Sequence, residues 1–160
     1  GENWTFAHNG QLKDIHSILP LGRFIPIGTT DSEHIFCWLL HQIEQTFPTR
    51  PADPTKLYDF IYAKRQQLHE FDVCNFLLSD GHALIAHCSN NLHWVTRRAP
   101  FGPALLKDLE VSVDFSQEPT PNDVVTVLAT QPLTTNETWQ KMQPGQMVVF
   151  VAGELIKQYE

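Results

Sequence analysis

The hydrophobic period of this chain changes near residue 71, and that change constrains the fold more than any other feature. Before it, apolar residues recur at helical spacing in two segments, which predicts helices at Ser32–Phe47 and Pro54–Phe71. After it, short apolar runs of extended character are separated by turn residues. Two helices followed by a series of mostly antiparallel strands predict the α+β fold class.

Start signals precede both helices. Thr30 and Glu33 have the spacing of a capping box, in which the first residue accepts a hydrogen bond from the backbone of the second. Asp53 followed by Pro54 is a polar cap with proline at the first helical position. The predicted boundaries therefore rest on cap chemistry as well as on periodicity.

Eight segments are predicted strands, and turn residues join several of them. Asn9-Gly10 is predicted to turn the chain after the first strand, and Asp80-Gly81 and Ala152-Gly153 to turn two hairpins. The continuous apolar run 124–129 predicts a buried strand. The predicted strands are Trp4–Ala7, Val73–Leu78, Ala83–Cys88, Leu92–Arg97, Glu110–Phe115, Asp123–Thr130, Gln146–Ala152 and Glu154–Tyr159.

Composition narrows the classes of partner. The 160 residues fit one domain spanning 1–160. Eleven Lys and Arg against eighteen Asp and Glu give a net charge of -7, and Arg97-Arg98 is the main basic cluster, so we expect no nucleic-acid partner. No apolar run is long enough to cross a bilayer, so we expect no membrane partner. Three cysteines, an odd number, favour a reducing compartment and a cytoplasmic location.

Two Cys–His pairs are candidates for a reactive thiol or a metal site. Cys37 and His41 share a helix face, but no third ligand stands at a recognisable spacing, so we expect no metal and no cofactor. With Asp80-Gly81 as a two-residue loop, Cys74 lies opposite His87. Their face is the predicted core face, so we interpret this pair as a buried thiol beside a core histidine rather than as a nucleophile.

A more informative combination is Asn9-Gly10 with Asp31. Separately, the first is explained as a turn and the second as part of a helix start. Together they suggest chemistry: a side-chain amide next to a flexible backbone N–H offers the two donors of an oxyanion hole. Because Thr30 already caps the helix, the Asp31 carboxylate is available for a cation such as a substrate α-ammonium group.

These residues belong to a series of motifs whose order resembles the class II glutamine amidotransferase family, which has the N-terminal-nucleophile hydrolase fold. Two further stretches, Asn91–Gly102 and Thr120–Val125, most resemble the stand-alone bacterial YafJ-type branch of that family. The six motifs, in chain order, are Phe6–Gly10, Pro26–Glu33, Phe76–Gly81, Ala129–Leu133, Trp139 and Pro144–Gln146.

The resemblance implies a fold, an activity and three site residues. The fold is a four-layer αββα sandwich in which two helices cover one sheet. The activity is hydrolysis of the γ-carboxamide of glutamine or of a γ-glutamyl compound, with that small molecule as the partner, no cofactor, and the ammonia acceptor or partner subunit left open. Catalytic roles fall to the Asn9 side-chain amide and the Gly10 N–H as the oxyanion hole, and Asp31 binds the substrate α-amino group.

The chain departs from the family pattern at its first residue. The family's nucleophile is an N-terminal cysteine whose own α-amino group is the general base, whereas this sequence begins with Gly1. The resemblance places this chain as the C-terminal portion of the domain, N-terminally truncated. We therefore expect the chain by itself to be inactive, with the cysteine lying upstream.

Three interpretations follow from the sequence. The first is part of a glutamine or γ-glutamyl amide hydrolase that is active with its N-terminal segment. The second is a non-catalytic glutamine- or γ-glutamyl-binding module of the same fold. The third is an α+β interaction domain in which Asn9-Gly10 is only a turn. The identity of the N-terminal residue of the mature protein distinguishes the first two.

Overall fold

The computed structural model describes residues 3–69, 73–107, 112–114 and 122–160. Helices precede most of the strands, which confirms the α+β class. The elements are β1 (Thr5–Gly10), α1 (Ile15–Ile18), α2 (Asp31–Thr46), α3 (Thr55–His69), β2 (Cys74–Ser79), β3 (Leu84–His87), β4 (His93–Arg98), β5 (Pro103–Leu105), β6 (Ser112–Asp114), β7 (Val124–Ala129), β8 (Gln140–Lys141), β9 (Met147–Val151) and β10 (Glu154–Tyr159).

The strands form one large sheet and two small ones. The five-stranded sheet has the order β1-β2-β3-β9-β10 and is antiparallel throughout. The three-stranded sheet has the order β7-β4-β8, and β5 pairs with β6. The predicted strand 110–115 is described only at Ser112–Asp114; the other residues of that segment lie outside the described residues.

Two hydrophobic clusters lie on opposite faces of the five-stranded sheet. Strand β9 shows the division: Met147 and Val149 belong to the cluster that includes α2 and α3, whereas Val148 and Phe150 belong to the other cluster. Trp94 of β4 packs edge-on against Phe150, with 5.4 Å between ring centroids. The alternation of side chains along a strand thus lets the sheet contact helices on one face and the smaller sheet on the other.

The caps of α2 and α3 agree with the sequence prediction, with one difference. Thr30 accepts a hydrogen bond from the Glu33 N–H (3.2 Å), and Asp53 accepts one from the Thr55 N–H (3.0 Å). The Glu33 carboxylate does not return to the Thr30 N–H; it accepts instead from the backbone of Ile27 and Gly28, at 2.8 and 2.7 Å. Glu33 thereby fixes the loop that leads into α2. Phe71, the predicted end of α3, lies outside the described residues.

The β2–β3 hairpin has a different register from the predicted one. Phe76, not Cys74, pairs with His87, and Ser79 pairs with Leu84, so the loop has four residues rather than two. The Asp80 side chain accepts hydrogen bonds from the backbone of His82 (2.9 Å) and Ala83 (2.8 Å), which lengthens the turn. His87 contacts the Cys74 carbonyl (3.0 Å) through Nδ1 rather than lying opposite its thiol.

Two other predictions about strands were wrong. Asn9-Gly10 does not form a hairpin turn: both residues continue β1 and pair with Asn75 and Cys74. The 124–129 strand is not buried, and Val125 keeps 43% of its surface exposed. Among the described strands β7 pairs only with β4, so it forms an edge of its sheet. The last hairpin is confirmed, with Ala152 and Gly153 both at positive φ between β9 and β10.

The Arg97-Arg98 cluster is bound to carboxylates. Arg97 makes two 2.6 Å contacts with Glu137, and Arg98 pairs with Glu154. No described helix combines the length and apolar character needed to span a membrane. In the described ranges, no group of three or more His, Cys, Asp or Glu side chains is arranged to hold a metal ion.

Asp80 is expected to be a major determinant of stability. Burial raises the pKa of its carboxyl, but hydrogen bonds from Ala83 and His82 and the Arg50 ion pair (2.6 Å) lower it further, below the ordinary value. We predict that Asp80→Ala lowers the free energy of unfolding by about 3 kcal/mol at neutral pH, because it removes a buried carboxylate that accepts from two backbone N–H groups and pairs with Arg50. Urea unfolding of the intact protein measures this change.

The pH dependence gives a second check on Asp80. Because its pKa is depressed in the folded state, its contribution is present above the unfolded pKa of 3.8 and is lost as pH falls through the lower, folded pKa. The wild type should therefore lose stability below pH 4 more steeply than Asp80→Ala. Glu154→Gln, which removes an exposed carboxylate, is the matched control and should leave the urea midpoint nearly unchanged. Equal midpoints for Asp80→Ala and the wild type would contradict the prediction.

Candidate active site

A cleft of about 180 Å³ lies where the end of β1 meets the second sheet. Residues of β1 and β2 form one wall, and the end of β7 with Leu92 forms the other. The lining residues are Ala7, His8, Asn9, Asn75, Phe76, Leu77, Leu92, Leu128, Ala129 and Thr130. The cleft is lined mostly by apolar residues with a few polar ones, which is the usual composition of a small-molecule site.

Asn9 and Gly10 stand at the open end of β1. Asn9 is exposed and lines the cleft, and no described residue hydrogen-bonds its side-chain amide. Gly10 has φ +154°, and a Cβ there would overlap the Val73 carbonyl oxygen and lie 2.9 Å from His8 Nε2. Only glycine allows this close backbone approach. The structure therefore places a side-chain amide and a neighbouring glycine backbone together, while their role as an oxyanion hole stays a prediction.

Asp31 is the first residue of α2, and its carboxylate is oriented by two backbone groups. Oδ2 accepts from the Leu12 N–H and Oδ1 accepts from the Ser32 N–H, both at 2.8 Å. Within the part of the chain that the structure describes, no Lys or Arg pairs with this carboxylate. A carboxylate has about four acceptor positions. Asp31 thus keeps acceptor capacity for a cation, as the sequence suggested, although it is less free than an exposed side chain.

His8 connects these two parts of the site. Its Nδ1 lies 3.0 Å from Ser32 Oγ, so the residue before Asn9 contacts the residue after Asp31. Burial lowers the pKa of the His8 ring more than the Asp31 carboxylate and the Val73 carbonyl raise it. The ring is therefore neutral at pH 7. The sequence alone predicts no role for His8 or Ser32, and the one signal it offers is that each is adjacent to a predicted site residue.

Asn75 is a third residue for which the sequence alone predicts no role. It is buried opposite Asn9 in β2, and its side chain accepts from the Ser89 N–H (2.9 Å) and donates to Asn90 Oδ1 (2.7 Å). A hydrogen bond of 3.5 Å from its Nδ2 to the Asn9 carbonyl completes the set. Asparagine is uncommon inside strands, so its presence in an apolar strand was the available signal. This amide holds the segment after β3 against the wall of the cleft.

The three cysteines are poor nucleophiles in this structure. Cys37, Cys74 and Cys88 are all buried and unpaired, and none lines the cleft. Burial raises the pKa of each thiol, and that of Cys74 reaches about 12. A thiolate, not a thiol, is the attacking species. None of these cysteines is therefore suited to covalent catalysis at neutral pH.

A larger cleft, of about 580 Å³, lies between Trp4 and α2. Its two cations already have partners, because Arg23 contacts Glu44 (2.5 Å) and Arg50 contacts Asp80 (2.6 Å). The smaller cleft at Asn9 combines an amide without a partner among the described residues with a nearby oriented carboxylate. We therefore regard the smaller cleft as the candidate active site.

Comparison with known proteins supports the family resemblance seen in the sequence motifs. The family model for class-II glutamine amidotransferases matches residues 1–160. The chain is 54% identical over 156 residues to the putative glutamine amidotransferase YafJ of Escherichia coli, covering 98% of this chain and 61% of that protein. It is 42% identical to a putative glutamine amidotransferase of Haemophilus influenzae, covering 98% of this chain and 52% of that protein. The chain thus spans roughly half to three-fifths of these relatives.

Solved structures show the same similarity. The 2.0 Å crystal structure of a predicted glutamine amidotransferase from Pseudomonas aeruginosa matches with a TM-score of 0.87 and 46% identity, over 98% of this chain and 61% of that one. A glutamine aminotransferase class-II domain protein from Silicibacter pomeroyi matches with a TM-score of 0.57 and 19% identity, over 98% of this chain and 66% of that one. The second likeness concerns the fold alone.

We predict that the three cysteines of this chain resist alkylation in the native protein. Iodoacetamide at pH 7.5 should leave Cys37, Cys74 and Cys88 unmodified, because each thiol is buried and protonated. Peptide mass spectrometry reads the modification at each site. The same reaction in 6 M guanidinium is the control and should label all three. Rapid native labelling of Cys74 would contradict its assignment as an inert core residue.

Proposed function

Because the chain belongs to the class II glutamine amidotransferase family, we propose that it forms the part of an amide-hydrolysing site that stabilises the oxyanion and binds the substrate α-amino group. The substrate class is glutamine or a γ-glutamyl compound. The observation that carries the proposal is the pair of Asn9 and Gly10 at the cleft, joined through His8 and Ser32 to Asp31. No cofactor is needed for this chemistry.

In the proposed reaction, the thiolate of an N-terminal cysteine attacks the γ-carboxamide carbon of the substrate. That cysteine lies in a segment of the intact protein outside this chain, because the three thiols present here are buried. The carbonyl π electrons move to oxygen, and the Asn9 amide and Gly10 N–H donate to the resulting oxyanion. Ammonia or an amine leaves with the proton taken from the thiol, and water then releases glutamate from the thioester.

Asp31 contributes binding rather than chemistry in this proposal. Its carboxylate is held by hydrogen bonds from the Leu12 and Ser32 N–H groups at the N-terminus of α2, where the helix dipole attracts anionic groups. An α-ammonium group placed there would fix the substrate while its side-chain amide extends toward Asn9. This interaction has the same strength in the ground state and the transition state, so it lowers KM without raising kcat.

The proposed architecture is the four-layer αββα sandwich of N-terminal-nucleophile hydrolases, with 1–160 as the C-terminal portion of a single domain. Two observations support this proposal: α2 and α3 pack on one face of the five-stranded sheet, and the three-stranded sheet packs on the other. All four layers, including the second helical one, are part of the proposal. The chain alone would then lack the nucleophile and be inactive, and a cytoplasmic location fits its three free cysteines.

The direct test is glutamate release by the intact protein from L-glutamine and from a γ-glutamyl amide. We expect turnover by the intact protein and none by a variant whose N-terminal cysteine is replaced by alanine. Binding of L-glutamine without turnover of either substrate would instead identify a non-catalytic glutamine- or γ-glutamyl-binding module. Absence of both binding and turnover would contradict the proposal altogether.

Asn9→Ala is predicted to lower kcat about 10²- to 10³-fold in the intact protein, since it removes one of two oxyanion donors. KM should change little, because the contact forms mainly in the transition state. Steady-state kinetics of glutamate release give both constants. Asn3→Ala is the matched control, since Asn3 is an exposed asparagine outside the cleft. An unchanged kcat for Asn9→Ala would show that Asn9 is not an oxyanion donor.

Asp31→Asn is predicted to raise KM about 10- to 100-fold with a much smaller effect on kcat, because it removes the charge that binds the ammonium group and keeps an acceptor oxygen for one of the two backbone donors. Asp14→Asn, at an exposed aspartate with φ +57°, is the control, because asparagine tolerates that conformation. The same kinetic assay applies. A normal KM for Asp31→Asn would exclude Asp31 from substrate binding.

A further inference from the structure

The hydroxyl of Ser32 lies within reach of two atoms, His8 Nδ1 and Asp31 Oδ1, and can donate a hydrogen bond to only one of them at a time. Ser32 Oγ lies 3.0 Å from His8 Nδ1 and 3.4 Å from Asp31 Oδ1. A serine hydroxyl has one hydrogen, so it donates either to the ring or to the carboxylate. The choice depends on whether His8 Nδ1 carries a proton.

The surroundings of the ring determine that choice when His8 is neutral. A Cβ on Gly10 would overlap the Val73 carbonyl oxygen and lie 2.9 Å from His8 Nε2, so this carbonyl lies beside Nε2 and raises the ring pKa, although the two atoms do not form a hydrogen bond of ordinary geometry. A carbonyl oxygen only accepts hydrogen bonds, so we assign the hydrogen of the neutral ring to Nε2. Nδ1 is then an acceptor, and the Ser32 hydroxyl donates to it. Among the described residues, Asp31 Oδ1 then accepts only from the Ser32 N–H (2.8 Å).

Protonation of His8 reverses the arrangement. Nδ1 then carries a hydrogen and donates to Ser32 Oγ, so the hydroxyl hydrogen turns to Asp31 Oδ1. The carboxylate gains a donor and a neighbouring positive charge, and both oppose the approach of another cation. Two residues that do not touch the reacting amide thus control how well Asp31 receives an ammonium group.

We propose that His8 and Ser32 are positioning residues that keep Asp31 open for the substrate α-ammonium group when His8 is neutral, and that weaken its binding when His8 is protonated. This inference rests on the proposed function, and in particular on the role of Asp31. It assigns the specificity for a free α-amino group to three residues rather than to one.

Two buried histidines on this side of the sheet have contacts of their own: His34 of α2 contacts the Leu19 carbonyl (2.9 Å) and His16, and His87 of β3 contacts the Cys74 carbonyl (3.0 Å). His8 lies on the face of β1 that is directed toward the helices, together with Cys74 of β2, whose thiol has a pKa of about 12 and stays neutral. On α2 the Glu33 carboxylate is bound to the Ile27 and Gly28 backbone. Among the described residues, Asp31 is therefore the charged group that acts on the His8 ring.

Lower pH is expected to weaken substrate binding, because it protonates His8. The pKa of His8 lies below its ordinary value of 6.5, with burial as the main cause, so the neutral, binding-competent form dominates at pH 7 and above. As pH falls through the ring pKa, KM should rise. By linkage, a bound ammonium group should lower the ring pKa further.

The kinetic test uses the intact protein between pH 5 and 8. KM for L-glutamine should rise several-fold in the wild type as pH falls through the ring pKa and stay nearly constant in His8→Asn, whose amide occupies the Nδ1 position without titrating. Ser32→Ala should show a smaller rise than the wild type. His82→Asn, at an exposed histidine in the β2–β3 turn, is the matched control and should follow the wild-type profile. A wild-type profile in His8→Asn would overturn the proposal.

Two further measurements separate this inference from the proposed function. Glutaric acid monoamide lacks the α-amino group, so its KM should not rise toward acid pH; an equal rise would overturn the inference while leaving amide hydrolysis in place. In an NMR titration, L-glutamate should lower the ring pKa of His8 in the wild type but not in Asp31→Asn. That result without any turnover would support the positioning role and refute hydrolysis. No effect of L-glutamate on the ring would refute the positioning role.

Discussion

The close approach of the Gly10 backbone to Val73 is the constraint on which the candidate site depends. Six residue pairs join β1 to β2, and the last of them places Gly10 opposite Cys74 where no side chain fits. Any Cβ at this position would move the end of β1 away from β2. Asn9 and His8 would move with it, so a single steric condition sets the position of both.

Alternation along β1 then distributes the site over two faces of the sheet. Asn9 is directed toward the cleft and the second sheet, whereas His8 is directed toward the helices and contacts Ser32 at 3.0 Å. Ser32 follows Asp31 at the start of α2. The contact of His8 with Ser32 therefore links β1, which carries the proposed oxyanion donors, to α2, which carries the proposed ammonium site. A change in the charge of His8 can therefore reach substrate binding without moving the backbone.

Local chemistry predicted the helices and the last hairpin well, and predicted strand environments less well. Caps at Thr30 and Asp53 and the Ala152-Gly153 turn are decided by neighbouring residues, so they are readable from sequence. The β2–β3 register was wrong because the Asp80 side chain, bound to Arg50 from the connection between α2 and α3, lengthens the loop. The burial of β7 was wrong because an apolar run does not reveal whether a strand lies at the edge of its sheet.

The sequence alone determined the α+β class, the starts of α2 and α3 and the family, because periodicity, caps and ordered motifs are local properties of the chain. It also singled out Asn9, Gly10 and Asp31, although it assigned the first two to a turn. Only the tertiary structure decided that Asn9-Gly10 continues a strand, that all three cysteines are buried, and that His8 meets Ser32. These features depend on contacts between residues far apart in the chain, such as His8 with Ser32 and Gly10 with Val73, which packing creates and local propensity does not specify.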